Sequence, residues 1–120
     1  MSYDISFRVK VEGVDRYTPL PLYSCVTNIT WNVRNIITES TGLEWKNCEN
    51  NGLCSEIVPV IEGGLYELLR NGDKYKKYES PNGWGTVRGV INSFIDIINA
   101  YRELCTEDKE LASVATFWIT

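Results

Sequence analysis

Tyr3, Ile5, Phe7, Val9 and Val11 alternate without a break with Asp4, Ser6, Arg8, Lys10 and Glu12. Successive side chains of a strand point to opposite faces, so the segment predicts a β-strand with one face buried and one in water. Such a strand cannot stand alone, because its backbone donors and acceptors need partners. Gly13-Val14-Asp15 supplies turn chemistry, and Arg16 to Tyr23 is expected to return as a second strand. Pro19 and Pro21 keep that strand short or irregular and confine it to an edge. At the far end, Ser113 to Thr120 is β-branched and aromatic through Val114, Thr116, Phe117, Trp118 and Ile119. It reads as a final strand, paired with the first.

Between these strands the period turns helical. Ile29, Val33, Ile36 and Ile37 share a face, and Gly42 stands where a left-handed C-cap belongs, which predicts a first helix from about Ile29 to Ser40. Leu43 to Gly52 is polar, rich in Asn and interrupted by Trp45, and reads as an ordered loop. Ser55 is placed to cap a second helix carrying Ile57, Val58, Ile61, Leu65, Leu68 and Leu69, with Pro59 in its first turn and Asn71-Gly72 at its end. One or two helical turns are expected over Asp73 to Glu79, and Ser80 to Thr86 breaks regular structure with a proline and two glycines. Thr86 is a good N-cap for a third helix whose apolar stripe runs from Val87 to Cys105. The acidic run Thr106 to Glu110 reads as a link. The expected fold is α+β: a small antiparallel sheet, made of an N-terminal hairpin and a C-terminal strand, with about three helices packed on one face. The expected organisation is a single domain over residues 1–120.

The totals exclude several classes of function. Sixteen acids against twelve bases give a net charge of −4, with the signs interleaved, so direct DNA or RNA binding is not expected. No stretch approaches the ~20 apolar residues of a membrane span. The opening Met1-Ser2-Tyr3-Asp4 lacks a charged region followed by an apolar run, so a cytoplasmic location is expected. The four cysteines, Cys25, Cys48, Cys54 and Cys105, do not have zinc spacing. They read as small buried hydrophobes, with a Cys48–Cys54 disulfide as the alternative. No metal or cofactor site is expected.

The chain contains no histidine, which removes Ser-His and Cys-His nucleophile pairs and histidine metal triads. Carboxylates such as Glu39, Glu44, Glu49, Glu56, Glu62 and Asp96 remain, but none is singled out as catalytic. Two loops have other chemistry. Asn82-Gly83-Trp84-Gly85-Thr86 offers backbone N–H groups at a helix start, an aromatic plane at Trp84 and a guanidinium at Arg88, parts that could hold an anion and stack a ring. The other reading is a tight turn shaped by Gly83 and Gly85, with Trp84 plugging the end of the core. Trp45 with Asn50 and Asn51 could read the edge of a polar ring, or the Asn side chains could hold a long loop as Asx-turns. Trp31 and Arg34 offer the same choice between lining a cleft and covering a neighbouring element. The candidate ligand-binding set is therefore Trp31, Arg34, Trp45, Asn50, Asn51, Asn82, Trp84 and Arg88.

The strings Asn28-Ile29-Thr30-Trp31-Asn32-Val33-Arg34, Ser40-Thr41-Gly42-Leu43-Glu44-Trp45-Lys46-Asn47, Asn50-Asn51-Gly52-Leu53 and Ser80-Pro81-Asn82-Gly83-Trp84-Gly85-Thr86 carry a resemblance. Together with the Tyr3 to Phe7 opening and the Thr116 to Ile119 close, they resemble small uncharacterised phage and prophage proteins of Gram-positive bacteria. The resemblance spans almost the whole chain and brings no established activity with it. It implies an accessory role in the host cytoplasm, in which a host defence is disarmed by sequestering its nucleotide messenger or by occluding a defence protein. The leading expectation is a non-enzymatic sponge for a small polar, nucleotide-like ligand held where the two Trp-bearing loops converge. The alternative is an inhibitor or adaptor that binds a host defence protein through aromatic surface or a sheet edge, including as a homodimer. A carboxylate-based enzyme is a third, weaker option.

Overall fold

The computed structural model describes residues 2–120. The alternating segment becomes strand β1, Ser2–Lys10, with Tyr3, Ile5, Phe7 and Val9 buried. Strand β5, Thr116–Ile119, pairs antiparallel with it, setting Phe7 opposite Phe117 and Ile5 opposite Ile119. Thr120 extends this side by exchanging both backbone hydrogen bonds with Asp4, at 2.9 Å each. The other side of β1 takes two short strands in place of the single return expected. Strand β2, Tyr17–Pro19, covers Arg8 to Lys10, and strand β3, Thr27–Thr30, covers Ser2 to Ile5. Pro21 breaks the path between them with one 3-10 turn, Pro21–Tyr23.

Strand β3 corrects the expectation that the first helix begins near Ile29. Thr27 and Ile29 are buried while Asn28 is exposed, a period of two that four residues cannot distinguish from a helical i, i+4 start. The unpaired edge of β1 decides it. The helical period begins after β3, with a 3-10 turn, Trp31–Val33, and helix α1, Arg34–Thr41, which ends at Gly42 with φ 75° as expected.

The Asn-rich loop also contains a strand. Strand β4, Glu49–Leu53, pairs with β5 through an irregular register between Asn50 and Leu53, so the antiparallel sheet has five strands. Helix α2, Cys54–Asn71, follows directly with no side-chain cap, and Pro59 lies inside it on the exposed side. A 3-10 segment, Gly72–Tyr78, leads to the irregular loop and helix α3, Val87–Glu107, capped by Thr86 Oγ1 accepting from Gly89 N at 3.0 Å. The acidic link folds into a fourth helix, α4, Lys109–Val114, because Asp108 accepts from Leu111 N and serves as its N-cap.

The helices pack on the face of β1 that carries Phe7. Phe94 and Ile97 of α3 are fully buried in the same cluster as Phe7 and Phe117, and Tyr101 meets Phe7 edge-on at 6.2 Å. Polar contacts also cross this layer: Thr27 Oγ1 lies 3.1 Å from Ser93 Oγ, both residues being buried, and 3.4 Å from Asp96 Oδ2. The cysteines divide differently from expectation. Cys54 is buried and Cys105 partly so, Cys25 and Cys48 are exposed, and all four are free thiols.

Candidate functional site

The loop before α3 is held rigidly. Asn82 Oδ1 accepts from Trp84 N at 2.9 Å and from Ser80 Oγ at 2.6 Å, while Gly83 N donates to Ser80 O. Glu79 Oε2 accepts from Val87 N at 2.8 Å and ties the loop's start to the helix it precedes. Gly85, at φ 92°, wedges against Val33 and Thr30 at the end of β3. The loop nevertheless holds the Trp84 indole out in solvent, 68% exposed. The end of the core is closed without it.

Trp84 stands over a cleft of about 520 Å³ between this loop, the first turns of α3 and strand β3. Its floor is Ile29 and Val33, and Ser2, Asn28, Thr30, Thr86 and Ser93 supply polar groups. Among the described residues no charged side chain lines it. Asn28 Nδ2 donates to Ser2 Oγ and to Asp4 Oδ1, which holds that amide at the rim. The cleft borders the free edge of β3, whose far side pairs with no other strand among the described residues.

The other candidate residues do not share this cleft. Arg88 lines a separate hollow of about 590 Å³ with Arg70, Lys74, Lys76 and Leu69. Positions 87, 88 and 91 face that hollow while 86, 89 and 93 face the Trp84 cleft, so at 3.6 residues per turn the two lie on opposite flanks of α3. Trp45 and Arg34 line a third, smaller hollow of about 190 Å³ with Tyr3 and Glu44. Most of the Trp45 ring is spent on packing: it meets Tyr3 edge-on at 5.6 Å and lies 5.8 Å from Phe117, and Nε1 is buried without an acceptor among the described residues. Trp31 is 39% exposed under the Arg34 guanidinium, 5.4 Å from its ring centroid. The structure thus groups Trp31, Arg34 and Trp45, sets Asn82 beside Trp84, and leaves Arg88 apart.

The asparagines act as loop braces. Asn51 accepts from Lys46 N at 2.8 Å and donates to Lys46 O and Glu49 O, closing the loop in front of β4. Asn50 Oδ1 accepts from Gly52 N in an Asx-turn. The polar residues that do line the Trp84 cleft, Asn28, Thr30 and Ser93, were not among the sequence candidates. The alternation of Thr27 to Thr30 is the only sequence signal for Asn28 and Thr30, and it is too short to be told from a helix start; no local pattern brings in Ser93, which comes from α3.

Among the described residues no group of three or more His, Cys, Asp or Glu could hold a metal ion, and no helix is long and apolar enough to cross a membrane. No known protein family, curated protein or solved structure matches the chain.

Proposed function

We propose that the protein is a non-enzymatic binding protein that takes a small polar ring, the base or sugar of a nucleotide-like ligand, in the cleft between β3 and the Trp84 loop. The observation that carries this reading is the exposed indole on a braced loop. An indole two-thirds in water forgoes roughly 3 kcal/mol of burial at ~25 cal/mol per Å², and a ring stacked on it recovers part of that. Hydroxyl and amide groups around an apolar floor suit the edges of such a ring. The polar lining among the described residues is hydroxyl and amide, which suits an uncharged part of the ligand inside the cleft. In the phage setting that the sequence resemblance implies, the binding would sequester a host messenger in the host cytoplasm.

Calorimetric titration with a panel of nucleosides, nucleotides and simple sugars tests this. Saturable heat is expected for at least one class, with Trp84→Ala weakening it by about 5- to 100-fold while leaving the melting temperature unchanged. No heat at saturating concentrations across the panel, or equal binding by Trp84→Ala, sinks the reading.

A second reading is favoured by the free edge of β3 along the same cleft: a partner protein's strand could pair there with its side chain against Trp84. A stoichiometric protein recovered from host lysate, lost on Trp84→Ala and accompanied by no small-molecule heat, would favour it.

A further inference from the structure

A groove of about 450 Å³ lies at the opposite end of α3 from the Trp84 cleft, between the Pro21–Tyr23 turn, the last turns of α3 and the start of α4. Its walls are aliphatic. Leu104 is buried, Leu20 and Leu111 are half-buried, and Leu22 stands 82% exposed at the lip. The turn carrying Leu22 is stiff: Pro21 fixes its first residue, and Tyr23 beneath it is stacked 5.7 Å from Phe7 and donates its hydroxyl to Glu103 at 3.0 Å. An exposed leucine on so braced a turn is preorganised for contact.

The rim is acidic. Glu103, Glu107 and Asp108 line the groove, and Lys109 is the single base between Glu103 and Glu110. These carboxylates gather at the C-terminal end of a 21-residue helix whose last turn holds no basic residue. The helix dipole disfavours negative charge there, and helix stability is better served by Lys or Arg. Asp108 has a structural reason as the α4 cap and Glu103 one in its bond to Tyr23, but Glu107 has no partner among the side-chain bonds described. An apolar groove whose rim concentrates negative potential, with Glu107 at the α3 C-terminus engaged in none of the side-chain bonds described, is complementary to a cation-bearing apolar partner.

We propose that this groove docks a basic amphipathic segment of a partner protein. An aliphatic side chain of that segment would sit against Leu104 and Leu111 beside Leu22, with flanking Lys or Arg residues on Glu107 and Asp108. The site is separate from the Trp84 cleft and stands or falls independently of it.

Fluorescence anisotropy with a labelled synthetic peptide of leucine and lysine in helical register, at about 0.15 M salt, tests the proposal. Two control peptides replace every lysine with glutamate or every leucine with glutamine. The proposal expects saturable binding of the Leu/Lys peptide and binding at least about tenfold weaker for each control. Leu22→Ser and Glu107→Lys, both at exposed positions, are each expected to weaken binding about tenfold, and Trp84→Ala to leave it unchanged. Equal binding of the lysine/glutamine peptide would show charge attraction alone and overturn the proposal, as would undiminished binding by both variants or no saturable binding. Sedimentation showing an oligomer of the protein that Leu22→Ser dissolves would assign the groove to a second copy and also overturn it.

Discussion

Gly85 sits so close to Val33 that a β-carbon on it would stand 2.8 Å from Val33 Cγ1. The Trp84 loop is thereby fastened to the junction of β3 and α1, and the width of the cleft is set by packing as well as by hydrogen bonds.

Gly85→Ala meets both this clash and a backbone at φ 92°, whereas Gly83→Ala meets only a φ of 80° in open space. The first should cost about 2–5 kcal/mol and the second about 1 kcal/mol. Thermal unfolding reads the difference at roughly 4 °C per kcal/mol. Equal losses would mean that the Gly85–Val33 contact is not tight.

The adjacent pair Gly63 and Gly64 in α2 should respond in opposite directions. A β-carbon at Gly64 would meet Thr41 Cγ2 at 2.5 Å and Phe94 Cε2 at 3.3 Å, where α2 crosses α1 and α3, so Gly64→Ala should destabilise by about 2 kcal/mol or more. Gly63 is exposed with nothing within 4 Å, and Gly63→Ala should stabilise by about 0.5–1 kcal/mol through helix propensity. Denaturant midpoints of the two variants settle the comparison.

Alkaline pH should unfold the protein early. Burial pushes the Cys54 thiol up from an ordinary 9.0 to about 12, and Tyr101, whose hydroxyl donates to Ala112 O, is raised to about 12, chiefly by burial. An acid whose folded pKa is raised is held neutral by the fold, so its stabilising contribution is complete below the ordinary value and is lost as pH climbs toward the folded one. Melting temperature should therefore fall between about pH 9 and pH 12, and Cys54→Ala should make the fall shallower. A thiol reagent at about pH 8 should modify Cys25 and Cys48 in the native state and reach Cys54 only on unfolding.

Trp45→Phe should cost under about 1 kcal/mol. Phenylalanine keeps a ring against Tyr3 and Phe117, and losing indole area is offset by removing a buried donor that has no acceptor among the described residues. Binding at the Trp84 cleft should be unchanged. A loss of several kcal/mol on chemical denaturation would show that Nε1 is bonded after all.

Much of the scaffold was legible in the residues. Alternation over Tyr3 to Val9 specified β1 and its buried face, although Val11, at the end of the same pattern, falls outside the strand and is exposed; the stripe after Thr86 specified α3 with its cap, and Gly42 specified the end of α1. These signals are local, set by side-chain period and by φ/ψ cost. Strands β3 and β4 escaped because four or five residues of mixed polarity carry no distinct period. Each exists because a neighbouring strand offers unpaired backbone groups, a long-range requirement.

The candidate site divides the same way. That Trp84 lies on a rigid turn between breakers was readable from Asn82-Gly83-Trp84-Gly85, since Asn and Gly have known turn geometry. That Arg88, one turn away in sequence, faces the opposite flank of α3, that Trp45 is spent on the core, and that Asn28, Thr30 and Ser93 complete the cleft were decided by packing alone. The sequence by itself determined which segments are strands or helices wherever the period was long enough, and left open whether the loop asparagines bind a ligand or brace the chain. Only the tertiary structure decided which side chains meet, because a hollow forms between elements that are distant in the chain and no local pattern records how they pack.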